Sequence, residues 1–219
     1  MERSKKKNFL KIVILGDSGV GKTSLLQRYV QQKMPAHAKP TIGADFLKKE
    51  VTIDNTVITL QIWDTAGQEK FMSLGYAFYR GADCCALTFD ITNHKSFESL
   101  DRWKAGFMEH AAVNDPSTFP FVVLGNKIDK ESERKVPTQK AEAWSKENGN
   151  IPYYETSALE NVAVDDAFIT MAQAAIKREQ ENQLFMPDKI GGNTVPGLKL
   201  GKDDRKKGKT QVQQSLCEC

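Results

Sequence analysis

Along "TVITLQIW" (56–63) hydrophobic and polar residues alternate. Ile58, Leu60 and Ile62 fall on one side of an extended chain, and Thr59, Gln61 and Trp63 on the other. The pattern predicts a strand over 56–64 with a core face and a wet face, and it places a tryptophan on the wet one. A preceding strand, about 44–54, joins it at Asp54-Asn55, a turn pair. There Leu47, Val51 and Ile53 share one face, and Phe46 shares the other with Lys48 and Glu50. "FLKIVIL" (9–15), "CCALTFD" (84–90) and "FPFVVLGN" (119–126) are continuous apolar runs, as central strands of a parallel sheet covered on both faces require. "IPYYETSA" (151–158) reads as a sixth strand running into a loop. Helical spacing marks Leu25, Leu26, Tyr29 and Val30; then Phe97, Leu100, Trp103 and Phe107; and most clearly Val164, Ala167, Phe168, Met171, Ala172, Ala175 and Ile176. The expected fold is an open α/β sheet of six strands, mostly parallel with one antiparallel strand, flanked by helices.

After about Leu184 the pattern stops. "GGNTVPGLKLGKDDRKKGKTQVQQS" holds few apolar residues and reads as a flexible tail, so the expected division is 1–183 and 184–219. The tail holds seven Lys and Arg against four Asp and Glu. The preceding 183 residues hold 24 of each sign. A neutral body with a basic tail argues against nucleic acid as a partner and permits attraction to an acidic membrane surface. No apolar run approaches the ~18 residues of a membrane span. The N-terminal "MERSKKKNFLKIVIL" is basic then apolar but leads into glycines with no small-residue cleavage site, so it is not read as a signal peptide. Four cysteines in the pairs Cys84/Cys85 and Cys217/Cys219 form neither a disulfide framework nor a zinc site.

The candidate chemistry lies where strands end. "GDSGVGKT" (16–23) fits G-x-x-x-x-G-K-[ST] between a predicted strand and a predicted helix, the context a phosphate-binding loop requires. Ser18, Gly19, Val20, Gly21, Lys22, Thr23 and Ser24 would wrap the phosphates. Backbone N–H groups and the helix N-terminus supply the cradle, Lys22 a point charge, and Thr23 a hydroxyl for Mg²⁺. "NKID" (126–129) ends a strand, where ligands bind in such sheets. Asp129 offers two acceptors to the two donors on one edge of guanine, an edge adenine lacks. Asn126 can brace neighbouring loops, and the Lys127 stem can lie against the base. Ser157, Ala158 and Leu159 would bring backbone N–H groups to the guanine oxygen. "DTAGQ" (64–68) adds Asp64 for Mg²⁺, a Gly67 N–H for the γ-phosphate and Gln68 to orient water, and Thr41 is a second hydroxyl for the metal. Lys22, Thr41 and Gln68 form the catalytic set, with GTP or GDP and Mg²⁺ as ligands.

These motifs in this order resemble the Ras-like small GTPases, P-loop NTPases, over about residues 8–183. "IGADF" (42–46), "QIWDTAGQEKF" (61–71), "FYRGA" (78–82) and the final "CEC" look like the Rab family. "TIGADFLKKEV", "AFYRGADCC" and "IPYYETSA" are similar to its branch on late endosomes and lysosomes. The resemblance implies a switch for vesicle transport at the cytoplasmic face of those membranes, with a soluble cytosolic pool. It implies effectors on the GTP state, an exchange factor, a GTPase-activating protein, a GDP-dissociation inhibitor and a prenylation escort. It also implies an effector patch of Phe46, Trp63 and Phe78, and a lipid anchor on Cys217 and Cys219. Hydrolysis would be slow without an activating partner. The chain departs from the family pattern at Leu159, where relatives carry lysine, and in "KMPAHAKPT" (33–41), which lacks an aromatic cover for the nucleotide and so predicts faster release. Other readings are a Rab at another endosomal step, a scaffold with little hydrolysis, and a metabolic phosphotransferase. Gln68 argues against the scaffold, and no acceptor site or lid supports the phosphotransferase.

Overall fold

The computed structural model describes residues 9–33, 41, 43–66, 72–113 and 115–185. Among these, strands β1 (Phe9–Leu15), β2 (Ala44–Ile53), β3 (Thr56–Thr65), β4 (Cys84–Asp90), β5 (Phe121–Asn126) and β6 (Tyr153–Thr156) form one sheet, ordered β2-β3-β1-β4-β5-β6. β2 pairs antiparallel to β3; every other pair is parallel. The Asp54-Asn55 turn has φ of 48° and 59°, the left-handed pair that fits a two-residue hairpin.

Helices α1 (Lys22–Gln31) and α6 (Val164–Phe185) cover one face. Leu10, Ile12 and Ile14 point to it with Leu60 and Ile62, and pack on Leu25, Tyr29, Phe168 and Met171. Val13 and Leu15 point to the other face. There they meet Tyr79 of α2 (Met72–Tyr79), Phe97 of α3 (His94–Glu98), Trp103 and Phe107 of α4 (Leu100–His110) and Ala141 of α5 (Thr138–Glu147). Every residue of β4 and β5 is buried, which explains their lack of alternation. No described helix is long and apolar enough to cross a membrane.

The ends of two expected strands are trimmed. Pro120 and Pro152 lack an N–H for the ladder, yet their carbonyls accept from Cys85 (3.1 Å) and Val123 (2.8 Å), so each lies on the approach to a strand. The helical spacing of 97–107 resolves into two helices meeting at Ser99. α2 and α5 carried no recognised periodicity. α6 ends at Phe185, two residues past the expected boundary.

Candidate functional site

β1 delivers the chain to Gly16 at φ +145°, where an added Cβ would stand 2.1 Å from the Thr88 carbonyl oxygen of β4. The loop is therefore drawn tight against the sheet, and any side chain at 16 collides with backbone. Ser18 and Gly19 form its exposed tip, and Val20 is buried beneath. Gly21 caps α1 at φ +99° with no side-chain cap, so the first-turn N–H groups face the loop as an anion site. Asn126 braces the loop as expected: its Nδ2 donates to the Val20 carbonyl (2.8 Å) and its Oδ1 accepts from Thr156 (3.3 Å). Lys22 is 5% exposed, and its Nζ donates to the carbonyls of Gly16 (2.8 Å) and Asp17 (3.0 Å). Burial pulls its pKa down to about 8, against the charges of Asp64 and Asp17. Among the described residues the loop thus takes two of its three N–H groups, and the third would be available to a phosphate oxygen.

Three expected metal groups arrive from three places. The register Ile14↔Asp64 sets Asp64 beside the end of β1. Its Oδ2 accepts from Thr23 in the first turn of α1 and from Thr41 (3.1 Å), and the two hydroxyls are 2.7 Å apart. The other oxygen, Oδ1, is buried and has no hydrogen-bond partner among the described residues. Burial raises the Asp64 pKa, opposed by the Thr23 bond, the Lys22 charge and the Thr41 bond. A buried carboxylate oxygen without a donor is costly. A hard cation or its bound water would satisfy it, and the all-oxygen set suits Mg²⁺.

Where the base is expected, Asp129 is half-buried and its Oδ1 accepts from the Ser157 hydroxyl at 2.6 Å. Ala158 is buried, while Leu159 is 57% exposed. Lys127 takes a left-handed φ of 73° and pairs with Asp90 at 2.6 Å. Its stem passes the phosphate loop at Gly21. The sequence reading missed several supports. Asp17, an unspecified position of the phosphate motif, accepts from Trp103 Nε1 (2.8 Å) and Arg102 (3.1 Å) on Oδ1 and from Ser99 (2.8 Å) on Oδ2. Asp90 and Arg28 carried no motif signal at all.

Phe46 and Trp63 stack at 5.0 Å across β2 and β3, and Phe78 of α2 lies 5.2 Å from Trp63. Here the wet-face expectation is corrected. Trp63 is half-buried, packed beside the second core cluster under Phe78, with Lys11 Nζ 4.7 Å over its ring. Phe46 is 43% exposed, so the surface of the group is Phe46 backed by the other two rings. Gly67, Gln68, the loop positions 34–40, Cys217 and Cys219 lie outside the described residues.

A family model described as the Ras family matches residues 11–177. This chain belongs to the Ras family. It is 54% identical to the Ras-related protein Rab-7a of Paramecium octaurelia, over 85% of this chain and 91% of that one. With the Ras-related protein Rab7 of Prunus armeniaca it shares 51% identity over 99% of both chains. With the GTP-binding protein YPTC5 of Chlamydomonas reinhardtii it shares 55%, over 88% and 94%. The protein is a small GTPase of Rab type, with the P-loop sheet its motifs implied.

Proposed function

We propose that this GTPase is a switch for transport to and fusion with late endosomes and lysosomes, held on their cytoplasmic face when GTP-bound and cycling through a cytosolic pool. The observation that carries the switch is the convergence of Thr23, Thr41 and Asp64 from three separate segments onto one carboxylate with an unpartnered oxygen. Thr23, Thr41 and Asp64 would hold Mg²⁺, which would supply positive charge to the phosphates. Thr41 follows the segment proposed as the first switch loop, so its place at Asp64 would respond to the presence of the γ-phosphate. Lys22 and the N–H groups of Gly19, Gly21 and the first turn of α1 hold the phosphates. Asp129 reads the base, beside the backbone of Ala158 and Leu159. Gly67 and Gln68 would meet the γ-phosphate and orient the attacking water. The Arg80 carbonyl bonds Lys11 near the start of β1, the end of that strand away from Gly16, which favours an arginine supplied by an activating partner.

The branch assignment rests on the relatives named Rab-7a and Rab7. Effectors would dock on Phe46 and the rings behind it. Residues 184–219 would serve as a basic tether whose Cys217 and Cys219 carry two prenyl chains, two being what stable anchoring takes. The decisive experiment identifies the nucleotide that copurifies and follows its hydrolysis with and without EDTA. Guanine nucleotide, release accelerated by EDTA, and turnover slowed further by Gln68→Leu are expected; adenine nucleotide would overturn the reading. Imaging of the tagged chain, intact and with both terminal cysteines replaced by serine, tests the compartment.

A further inference from the structure

Arg28 lies in the last turn of α1, away from every motif. Its Nε donates to the Ala158 carbonyl at 2.7 Å and its Nη2 to the Leu159 carbonyl at 3.0 Å. A third donor, Nη1, meets the Gln32 carbonyl at 3.3 Å and steadies the guanidinium on its own helix. One cation on the phosphate-loop helix thus holds two successive peptides of the base-side loop. Both bonds are charge-assisted and share a rigid planar fork, so they fix direction as well as distance.

The consequence follows from peptide geometry. The described peptides are trans, so each C=O and the N–H that follows it point in opposite directions. Drawing the Ala158 carbonyl toward α1 turns the Leu159 N–H away from α1. Drawing the Leu159 carbonyl the same way turns the Glu160 N–H, which donates to the Ser157 hydroxyl at 3.0 Å. The rest of the loop closes on itself. Ser157 and Val162 exchange backbone bonds at 3.2 and 3.1 Å, and the Ser157 hydroxyl goes to Asp129 at 2.6 Å. The Asp129 side is therefore secured without Arg28, whereas the 158–159 peptide relies on it.

We infer that Arg28 is a positioning residue for base selection: by holding the Ala158 carbonyl it aims the Leu159 N–H toward the 6-oxygen of guanine, and it couples that aim to the helix that carries Lys22 and Thr23. The inference rests on the proposed reading that Asp129 and this loop meet the base. It also accounts for the departure at Leu159. What the loop needs at that position is its peptide, and the side chain is 57% exposed.

The test measures equilibrium affinities of the full chain with Mg²⁺ for GDP, IDP and 6-thio-GDP. IDP lacks the 2-amino group that would face Asp129. 6-Thio-GDP keeps N1–H and the 2-amino group but replaces the 6-oxygen with a weaker acceptor. In Arg28→Met the GDP to 6-thio-GDP affinity ratio should fall about three- to tenfold, the size of one lost or misdirected hydrogen bond. The GDP to IDP ratio should stay within about twofold. Arg28→Lys, which keeps the charge but can reach only one carbonyl, should fall between and guards against a poorly folded Met variant. Equal loss for all three nucleotides, or unchanged ratios in both variants, would overturn the inference. A wild type that binds all three equally would instead overturn the base assignment, and the inference with it.

Discussion

Trp103→Phe isolates the contact between the phosphate loop and α4. Trp103 is 2% exposed, and its indole N–H donates to Asp17 Oδ1 at 2.8 Å. A hydrogen bond to a charged acceptor contributes about 1.5–3 kcal/mol. The Asp17 side chain is 25% exposed, so water can replace part of the lost bond, and the low end, about 1.5 kcal/mol, applies. Phenyl is also smaller than indole by roughly 40 Å³, which at ~24 cal/mol per Å³ of cavity adds about 1 kcal/mol. The expected loss is therefore about 2–3 kcal/mol. Arg102→Ala removes the ion pair on the same oxygen, but that guanidinium is 52% exposed and should cost no more than about 1 kcal/mol. Because the Asp17 carbonyl is also a partner of Lys22, Trp103→Phe should speed GDP release several-fold. The assays are urea unfolding in saturating GDP and Mg²⁺, and stopped-flow release of a fluorescent GDP analogue. A Trp103→Phe protein within about 0.5 kcal/mol of wild type, or an Arg102→Ala protein equally destabilised, would refute the reasoning.

Trp63→Ala should weaken capture by GTP-state effectors by about 2 kcal/mol or more while leaving GDP affinity within a few-fold. If nucleotide affinity collapses in a release assay, the ring is core and the docking role falls. Gly16→Ala should fail to yield soluble nucleotide-loaded protein, since its Cβ would meet the Thr88 carbonyl at 2.1 Å; Gly19→Ala, whose Cβ meets open space, should load and cost only the strain of its φ of +81°, about 1–2 kcal/mol. Equal yields of the two would contradict the tight approach of loop to sheet. Burial would raise the Glu155 pKa, but donors Arg134, Thr138 and Tyr153 and the Arg134 charge outweigh it and hold the carboxyl below its ordinary 4.5. Its contribution is therefore present above pH ~4.5 and lost as pH falls through the folded-state value. Glu155→Gln should lower the urea midpoint at pH 7 and flatten its decline in acid; an unchanged acid slope would remove Glu155 from the account.

Periodicity determined the strands because side-chain burial on a pleated chain has only two answers per residue. Hence Ile58, Leu60 and Ile62 are buried as read, and the mostly apolar β4 and β5 lie inside the sheet. The motifs pointed to the proposed site for a related reason: phosphate, metal and base would each need particular atoms at loops that follow strands, so residue type and spacing alone brought Lys22, Thr23, Asp64, Asn126 and Asp129 into view. The tertiary structure decided what covers each surface and what holds each loop. Trp63 lies half-buried because α2, which has no amphipathic signature, lays Phe78 over it. Asp17 and Arg28 are polar residues whose partners stand 82 to 86 and 130 to 131 positions away, a pairing no local pattern encodes. Local sequence carries the demands of a strand or a ligand. It does not carry the hydrogen bonds that a loop acquires only when a distant helix packs beside it.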